Sequence, residues 1–336
     1  MNIIGKCVKR IALVTLLFML LLGVSLFTWP ETLSTDTETE PVAIACVNYR
    51  TIWGDKRRNL EKIMDFVADA AKRGADIILF PELALTGYAI GDSPMHKDNA
   101  EIIPGPSTEA IADLTRRYNV YVVFGMVEKP QDKPDVLYNS AAVIGPEGVI
   151  GAYRKLMPFG DEMSWCKKGT EPFAFNTPWG LVGVSICYDS YMFPELARYY
   201  AALGSRIYLN VTAIGPFYGW KPYYMNQLKA RAIENMMVVA SANLVGKDLQ
   251  TEYQGGSLVV GPSEKEHEVL FHSGPASADK EEVIMATVDL TSSDRMRQRY
   301  PLFWENPVSK SPDWRLKLFQ MMLRAIEEKT DLGKYE

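Results

Sequence analysis

Histidine is nearly absent from this chain, and cysteine is scarce. His96, His267 and His272 have no metal-binding spacing such as H-E-x-x-H, which removes most zinc-hydrolase chemistry. Cys7, Cys46, Cys166 and Cys187 are too few and too scattered for a disulfide framework. Excess positive charge is missing too: 36 Lys plus Arg face 41 Asp plus Glu, for a net charge of −5. Lys6, Lys9 and Arg10 lie at the very start, so the body is more acidic still and lacks the basic footprint of a nucleic-acid binder. There is no P-loop, no G-x-G-x-x-G and no G-x-S-x-G. The nearest string, Gly183-Val184-Ser185-Ile186-Cys187, puts cysteine where the last glycine belongs. Glycine (24) and proline (20) are near average, which excludes low-complexity chains, and 336 residues suffice for a sizeable core.

What is present begins with residues 11–29, IALVTLLFMLLLGVSLFTW, nineteen positions without a charge. Three cations precede this run, and Glu31, Asp36, Glu38 and Glu40 follow it. Length and charge order predict a single membrane anchor with the body extracytoplasmic. The alternative is secretion after cleavage, for which Gly23-Val24-Ser25 and Thr32-Leu33-Ser34 are tolerable sites. Residues 1–30 therefore read as a cytoplasmic stub with a membrane or signal segment, and 31–40 as a polar linker.

From Pro41 strands and helices alternate. Residues 42–48, 76–80, 119–128, 180–187, 205–210, 237–243, 257–261 and 283–290 read as strands, and 137–154 as a hairpin turning at Pro146-Glu147-Gly148. Leu60, Ile63, Met64, Val67, Ala70 and Ala71 recur at helical spacing before Gly74, and Ser107 is placed to cap a helix over 108–118. Further helices are predicted over 193–203 and about 222–236. This is an α/β domain with helices on the sheet faces, spanning residues 41–300, followed by a C-terminal extension, 301–336, with a helix.

Three strand ends carry chemistry. One runs into Pro81-Glu82-Leu83-Ala84-Leu85-Thr86-Gly87-Tyr88, a second into Lys155-Leu156-Met157-Pro158-Phe159, and a third into Cys187-Tyr188-Asp189. The strings F-P-E-x-x-x-x-G-Y, Y-R-K-x-x-P-F and C-Y-D-x-x-x-F-P-E resemble, in order, the three signatures of the nitrilase, or carbon–nitrogen hydrolase, superfamily. Their spacing agrees, with 73 residues from Glu82 to Lys155 and 32 from Lys155 to Cys187. The resemblance runs from about residue 42 to 290 and includes Arg231-Ala232-Ile233-Glu234-Asn235 and Gly256-Ser257.

The resemblance implies an αββα sandwich assembling as dimers through αββα–αββα contacts. It implies hydrolysis of a small-molecule amide through a thioester on Cys187, without metal or organic cofactor. Cys187 would be the nucleophile and Glu82 the general base. Lys155 and the Tyr188 backbone N–H would hold the oxyanion, and Glu162 would orient Lys155 or substrate. Tyr188-Asp189 after the cysteine resembles the amidase rather than the nitrile-cleaving branch, where Trp-Glu is usual. Acyl transfer to an amine, as in the apolipoprotein N-acyltransferases, is the runner-up activity. A catalytically inactive binding protein is the third reading, against which the intact Glu82, Lys155 and Cys187 set argues.

Other residues stay open at this level. Asp189 and Glu195 are expected to fix the turn and helix start, with Arg198 as a partner for either. Phe217, Tyr218, Trp220, Tyr223 and Tyr224 either wall a pocket or pack a dimer surface. Asn210-Val211-Thr212 is formally a glycosylation sequon, but its place at a strand end argues against occupancy. Leu316, Leu318, Phe319, Met322, Leu323 and Ile326 form an apolar arc over 314–328, suited to a dimer partner or a membrane surface.

Overall fold

A computed structural model describes residues 40–89, 91, 93–215, 221–249, 251–263, 268–299 and 314–330. Its first half runs β1 (Val42–Asn48), α1 (Lys56–Lys72), β2 (Ile77–Leu79), α2 (Pro94–Asn99), α3 (Pro106–Tyr118), β3 (Tyr121–Glu128), β4 (Tyr138–Gly145) and β5 (Gly148–Arg154). A 3-10 turn over Gly160–Ser164 leads to β6 (Phe173–Thr177), β7 (Gly180–Ile186), α4 (Tyr188–Met192), α5 (Pro194–Ala202) and β8 (Ile207–Thr212). Then come α6 (Lys221–Asn235), β9 (Val238–Asn243), β10 (Val245–Lys247), β11 (Glu252–Gln254), β12 (Leu258–Pro262), β13 (Val269–Ser273) and β14 (Glu282–Val288). Helices α7 (Thr291–Arg299) and α8 (Trp314–Thr330) end the described chain.

The strands form two six-stranded sheets, β14-β1-β2-β3-β4-β5 and β6-β7-β8-β9-β12-β13, plus the β10-β11 ribbon. Both sheets follow one plan. An antiparallel edge strand precedes three parallel strands, and two antiparallel strands follow. No sequence repeat announces this duplication, because backbone pairing and burial define it rather than residue identity.

The period of two sorts the side chains. In β1, Val42, Ile44 and Cys46 pack between the sheets with Val184, Ile186 and Leu209, while Ala45 and Val47 face the helical side with Ile63 and Val67 of α1. Helices α1 and α3 cover the first sheet, and α5 and α6 the second. The expected αββα sandwich is the fold observed. Cys46 and Cys166 are both free and buried, one between the sheets and the other on the helical side of the first sheet.

Local chemistry sets the helix ends. Asp55 accepts from the Arg58 N–H at the start of α1, and Gly74 turns the chain away at φ +91°. At α3 the expected Ser107 cap is replaced. The helix starts at Pro106, Thr108 bonds back to the Gly105 N–H at 2.8 Å, and Ser107 bonds instead to Glu101. The helix expected over 193–203 is preceded by the short α4, which begins one residue after Cys187.

The expected membrane-anchored, extracytoplasmic localisation is overturned. No helix among the described residues is long and apolar enough to cross a membrane. The late helix α8 carries Lys317, Arg324 and Glu327 within its 17 residues, and charge of that density is costly in hydrocarbon. Residues 11–29, on which the expectation rested, lie outside the described residues. Along α8, Leu318, Phe319, Met322, Leu323 and Ile326 are exposed.

One close approach fixes the first catalytic candidate. Gly125 on β3 donates to the Pro81 carbonyl at 3.0 Å and accepts from the Leu85 N–H at 3.2 Å, clasping the turn that bears Glu82. A Cβ at Gly125 would lie 2.2 Å from the Leu83 nitrogen and 2.6 Å from the Glu82 Cα. Gly125→Ala is therefore expected to cost about 1–3 kcal/mol by overpacking and to displace Glu82. Urea denaturation and circular dichroism check the stability loss.

Candidate active site

Glu82 follows β2, Lys155 follows β5 and Cys187 follows β7. The two sheets face each other, so these strand ends converge. Lys155 Nζ donates to Glu82 Oε1 at 2.7 Å and to Glu162 Oε1 at 2.8 Å, with all three side chains buried. Glu162 sits in the 3-10 turn that begins five residues after Lys155. Its other oxygen accepts from the Phe159 N–H at 3.0 Å, closing the loop on itself.

Each carboxylate has further donors. The Asn139 side chain on β4 donates to Glu82 Oε1 at 2.7 Å, and the Ala213 N–H just past β8 donates to Oε2 at 3.0 Å. The Tyr88 hydroxyl donates to Glu162 Oε1, and the Tyr88 ring lies 6.0 Å from Lys155 Nζ. Burial alone would lower the Lys155 pKa, but the charges of Glu162 and Glu82 outweigh it and hold the ammonium well above its ordinary range. Burial pushes the Glu82 carboxyl up, against the pull of Lys155 and with Glu162 adding repulsion.

Cys187 stands at the strand-to-helix turn with φ +48° and ψ −105°, a conformation rarely adopted by a residue with a side chain. Its N–H bonds to the Val211 carbonyl at 2.9 Å. The Thr212 hydroxyl lies within hydrogen-bond reach of Sγ and itself accepts from the Tyr191 hydroxyl at 2.7 Å. Burial pushes the thiol pKa up, Glu82 and Glu162 add to that, and Lys155 and Thr212 oppose it. Burial thus favours the neutral thiol over the thiolate.

Short α4 is held from below. Arg231 of α6 donates to the Ser190 carbonyl at 3.0 Å and the Tyr191 carbonyl at 3.2 Å, and pairs with Glu234 at 3.0 Å. The R-A-x-E-N string thus serves the backbone behind Cys187. Asp189 is buried, as a fixing role requires, but its partners lie elsewhere than its own helix start. It accepts from the Tyr153 hydroxyl at 2.7 Å and the Met157 N–H at 2.8 Å, tying the Cys187 turn to the Lys155 loop. Glu195 is exposed in the first turn of α5.

Tyr188 is half-buried between Phe159, 5.3 Å away, and Phe193, 5.5 Å away. Tyr224 is corrected: it is fully buried, donates to the Gly256 carbonyl and stacks edge-on with Tyr191, so it is core rather than exposed wall. Phe217, Tyr218 and Trp220 lie outside the described residues, as does the side chain of Tyr223. Asn210 is buried and bonds to Ser241 at 2.9 Å, so the folded sequon is closed to glycosylation.

Sequence reasoning missed Asn139, Thr212, Tyr153 and the role of Tyr88. A polar residue inside an apolar strand run, as Asn139 and Tyr153 are, was the signal available, but nothing in the sequence says which carboxylate each one meets.

Residues 43–298 match the carbon–nitrogen hydrolase family. A probable nitrilase of Schizosaccharomyces pombe is 34% identical over 271 residues, 78% of this chain and 94% of the relative. The human omega-amidase NIT2 is 31% identical over 260 residues, 74% of this chain and 89% of that protein. Among solved structures, Nit3 of Saccharomyces cerevisiae, a member of branch 10 of the nitrilase superfamily, superposes with a TM-score of 0.69. It is 23% identical and covers 80% of this chain and 97% of its own. An amidase from Nesterenkonia sp. superposes at 0.63, with 22% identity and coverage of 80% and 98%.

Burial raises the Asp189 carboxyl to about 7, with Lys155 and the Tyr153 and Met157 hydrogen bonds pulling down. The unfolded carboxyl ionises near its ordinary value while the folded one keeps its proton, so this group costs stability as pH rises from about 4 to about 7. Asp189→Asn is expected to flatten that decline. Unfolding free energies of wild type and variant, compared at several pH values across the window, check it.

Proposed function

The chain belongs to the carbon–nitrogen hydrolase family, which acts on C–N bonds other than peptide bonds, and we propose that it hydrolyses amides through a thioester on Cys187. The observation that carries this reading is one buried ammonium shared by two buried carboxylates beside a cysteine in a strained turn. When an amide carbonyl reaches Sγ, Glu82 takes the thiol proton and the sulfur adds to the carbon. A carboxyl with a raised pKa suits that task, because its basicity approaches neutral pH.

The oxyanion that forms lies between Lys155 Nζ and the Tyr188 N–H. That N–H, as the first of α4, has no partner within its own helix. Glu82 then gives its proton to the departing nitrogen, the C–N bond breaks, and the acyl group stays on sulfur. Water enters, loses a proton to Glu82 and adds to the thioester. Collapse releases the carboxylic acid and returns the proton to sulfur. Glu162 keeps Lys155 charged and placed throughout, and Tyr88 keeps Glu162 placed.

Cys187→Ala is expected to abolish turnover with the fold intact. Glu82→Gln and Lys155→Ala each lower kcat by on the order of 10²-fold or more, and the losses are non-additive because the residues serve one transition state. Steady-state kinetics on the single and double variants, with intact-mass detection of an acyl adduct on Cys187, make the test. Wild-type rates in the Cys187 variant would end this mechanism.

Amides are favoured over nitriles. Expelling an amine needs a protonated Glu82 near the nitrogen, which this site supplies, whereas a nitrile must first acquire a proton and water. The kcat/KM values of matched amide and nitrile pairs with one acyl chain should favour the amide at every chain length. A consistent nitrile preference would reassign the reaction and leave the residue roles standing.

A further inference from the structure

Asn210 and Thr212, whose string is closed to glycosylation in the fold, are fully buried at the end of β8. The strand period of two sets both on one face, opposite Leu209 and Val211. Asn210 pairs in register with Ser185 on β7 and Ser241 on β9, and its side-chain amide donates to the Ser241 hydroxyl at 2.9 Å. The same amide donates to the Tyr191 hydroxyl at 3.2 Å, and Tyr191 donates to Thr212 Oγ1 at 2.7 Å. Tyr191 belongs to α4, the short helix that opens after Cys187.

These bonds run in one direction. Tyr191 accepts from Asn210, so its single proton goes to Thr212. Thr212 is then an acceptor toward Tyr191, and its own proton is left for another group. The Cys187 sulfur lies within reach of that hydroxyl. Tyr88 and Tyr253 also lie in the field of this sulfur, but the Tyr88 hydroxyl is given to Glu162, and the Tyr253 hydroxyl has no hydrogen-bond partner among the described residues. The end of β8 touches Glu82 as well. The Thr212 carbonyl lies 3.4 Å from the Glu82 N–H, and the Ala213 N–H donates to Glu82 Oε2 at 3.0 Å.

Resting on the amidase reading above, we propose that Thr212 is a further catalytic residue, whose hydroxyl donates to the Cys187 sulfur whenever that sulfur carries charge. Tyr191 and Asn210 are positioning residues that orient this hydroxyl. Charge reaches the sulfur twice. In acylation Glu82 takes the thiol proton, and the sulfur keeps the electron pair until it bonds to the carbonyl carbon. In deacylation the C–S bond breaks, the pair returns to sulfur, and Glu82 gives the proton back. Thr212 keeps its own proton in both steps. Lys155 is shared by Glu82 and Glu162, whose charges oppose a thiolate, and a hydroxyl polarised by Tyr191 and Asn210 offsets them.

The test follows alkylation of Cys187 by iodoacetamide at one neutral pH in the full chain, with the adduct located by peptide mass. The thiolate is the reacting form. Thr212→Val is expected to slow alkylation by on the order of tenfold, the lost thiolate being partly offset by its higher nucleophilicity. Thr212→Ser restores the rate, and Tyr191→Phe gives a smaller loss in the same direction. The double variant Tyr191→Phe with Thr212→Val leaves no Tyr191 hydroxyl without its acceptor, and it is slowed as Thr212→Val is. Circular dichroism checks that each variant folds. Wild-type rates in Thr212→Val, or their recovery in the double variant, would overturn this inference and leave the amidase reading intact. The expected alkylation pattern without turnover of any amide would overturn the amidase reading alone. No adduct on wild-type Cys187 would overturn both, since each requires a thiolate at that sulfur.

Discussion

The site is organised around the Lys155 ammonium, which is 1% exposed and held by two carboxylates that are themselves fully buried. Bringing three ions out of water is expensive, and removing one partner from a buried pair typically costs about 3–5 kcal/mol. The cost is offset only because each oxygen finds donors. Asn139 and the Ala213 N–H serve Glu82, while Tyr88 and the Phe159 N–H serve Glu162. Those donors come from β4, the end of β8, the turn after β2 and the loop after β5. A single ionic cluster therefore requires elements of both sheets to be in register.

The duplicated sheet plan meets this requirement. β2 and β8 are the central parallel strands of their sheets, and the loops that leave them touch: the Glu82 N–H lies 3.4 Å from the Thr212 carbonyl. Glu82 leaves one central strand, and Thr212 and Ala213 leave the other. Parallel strands end at the same edge of a sheet, where loops can project chemistry without disturbing the ladder. Cys187, one strand over on β7, then reaches the same point from the second sheet.

Strain and support are balanced at Cys187. A φ of +48° at Cys187 costs roughly 1–3 kcal/mol, and Leu83, next to Glu82, is also left-handed at φ +47°. Several contacts over-determine the Cys187 turn: Arg231 on the carbonyls of α4, Asp189 on the Met157 N–H, and the Val211 carbonyl on the Cys187 N–H. Asp189 ties the two loops together from a buried position, and it is that burial, against its hydrogen bonds, that raises its pKa.

The sequence by itself determined the strand–helix alternation and set Glu82, Lys155 and Cys187 in short motifs at strand ends, because periodicity and motifs are local and survive in one dimension. The αββα architecture and the place of Glu162, seven residues after Lys155, came from the family resemblance that those motifs carry. The halves' shared sheet plan, the partners of Asp189 and the burial of Tyr224 were decided only by tertiary structure. Hydrogen bonds such as Asn139 to Glu82, 57 residues apart, or Ala213 to Glu82, 131 apart, depend on which strands become neighbours. The apolar run at 11–29 shows the converse: hydrophobicity and charge order alone led to a membrane-anchored body, and no described helix is suited to span one. Motif locality is therefore the physical dividing line. Residues carried in short strand-end strings could be named from sequence, and lone polar residues such as Asn139, whose partners depend on strand pairing, could not.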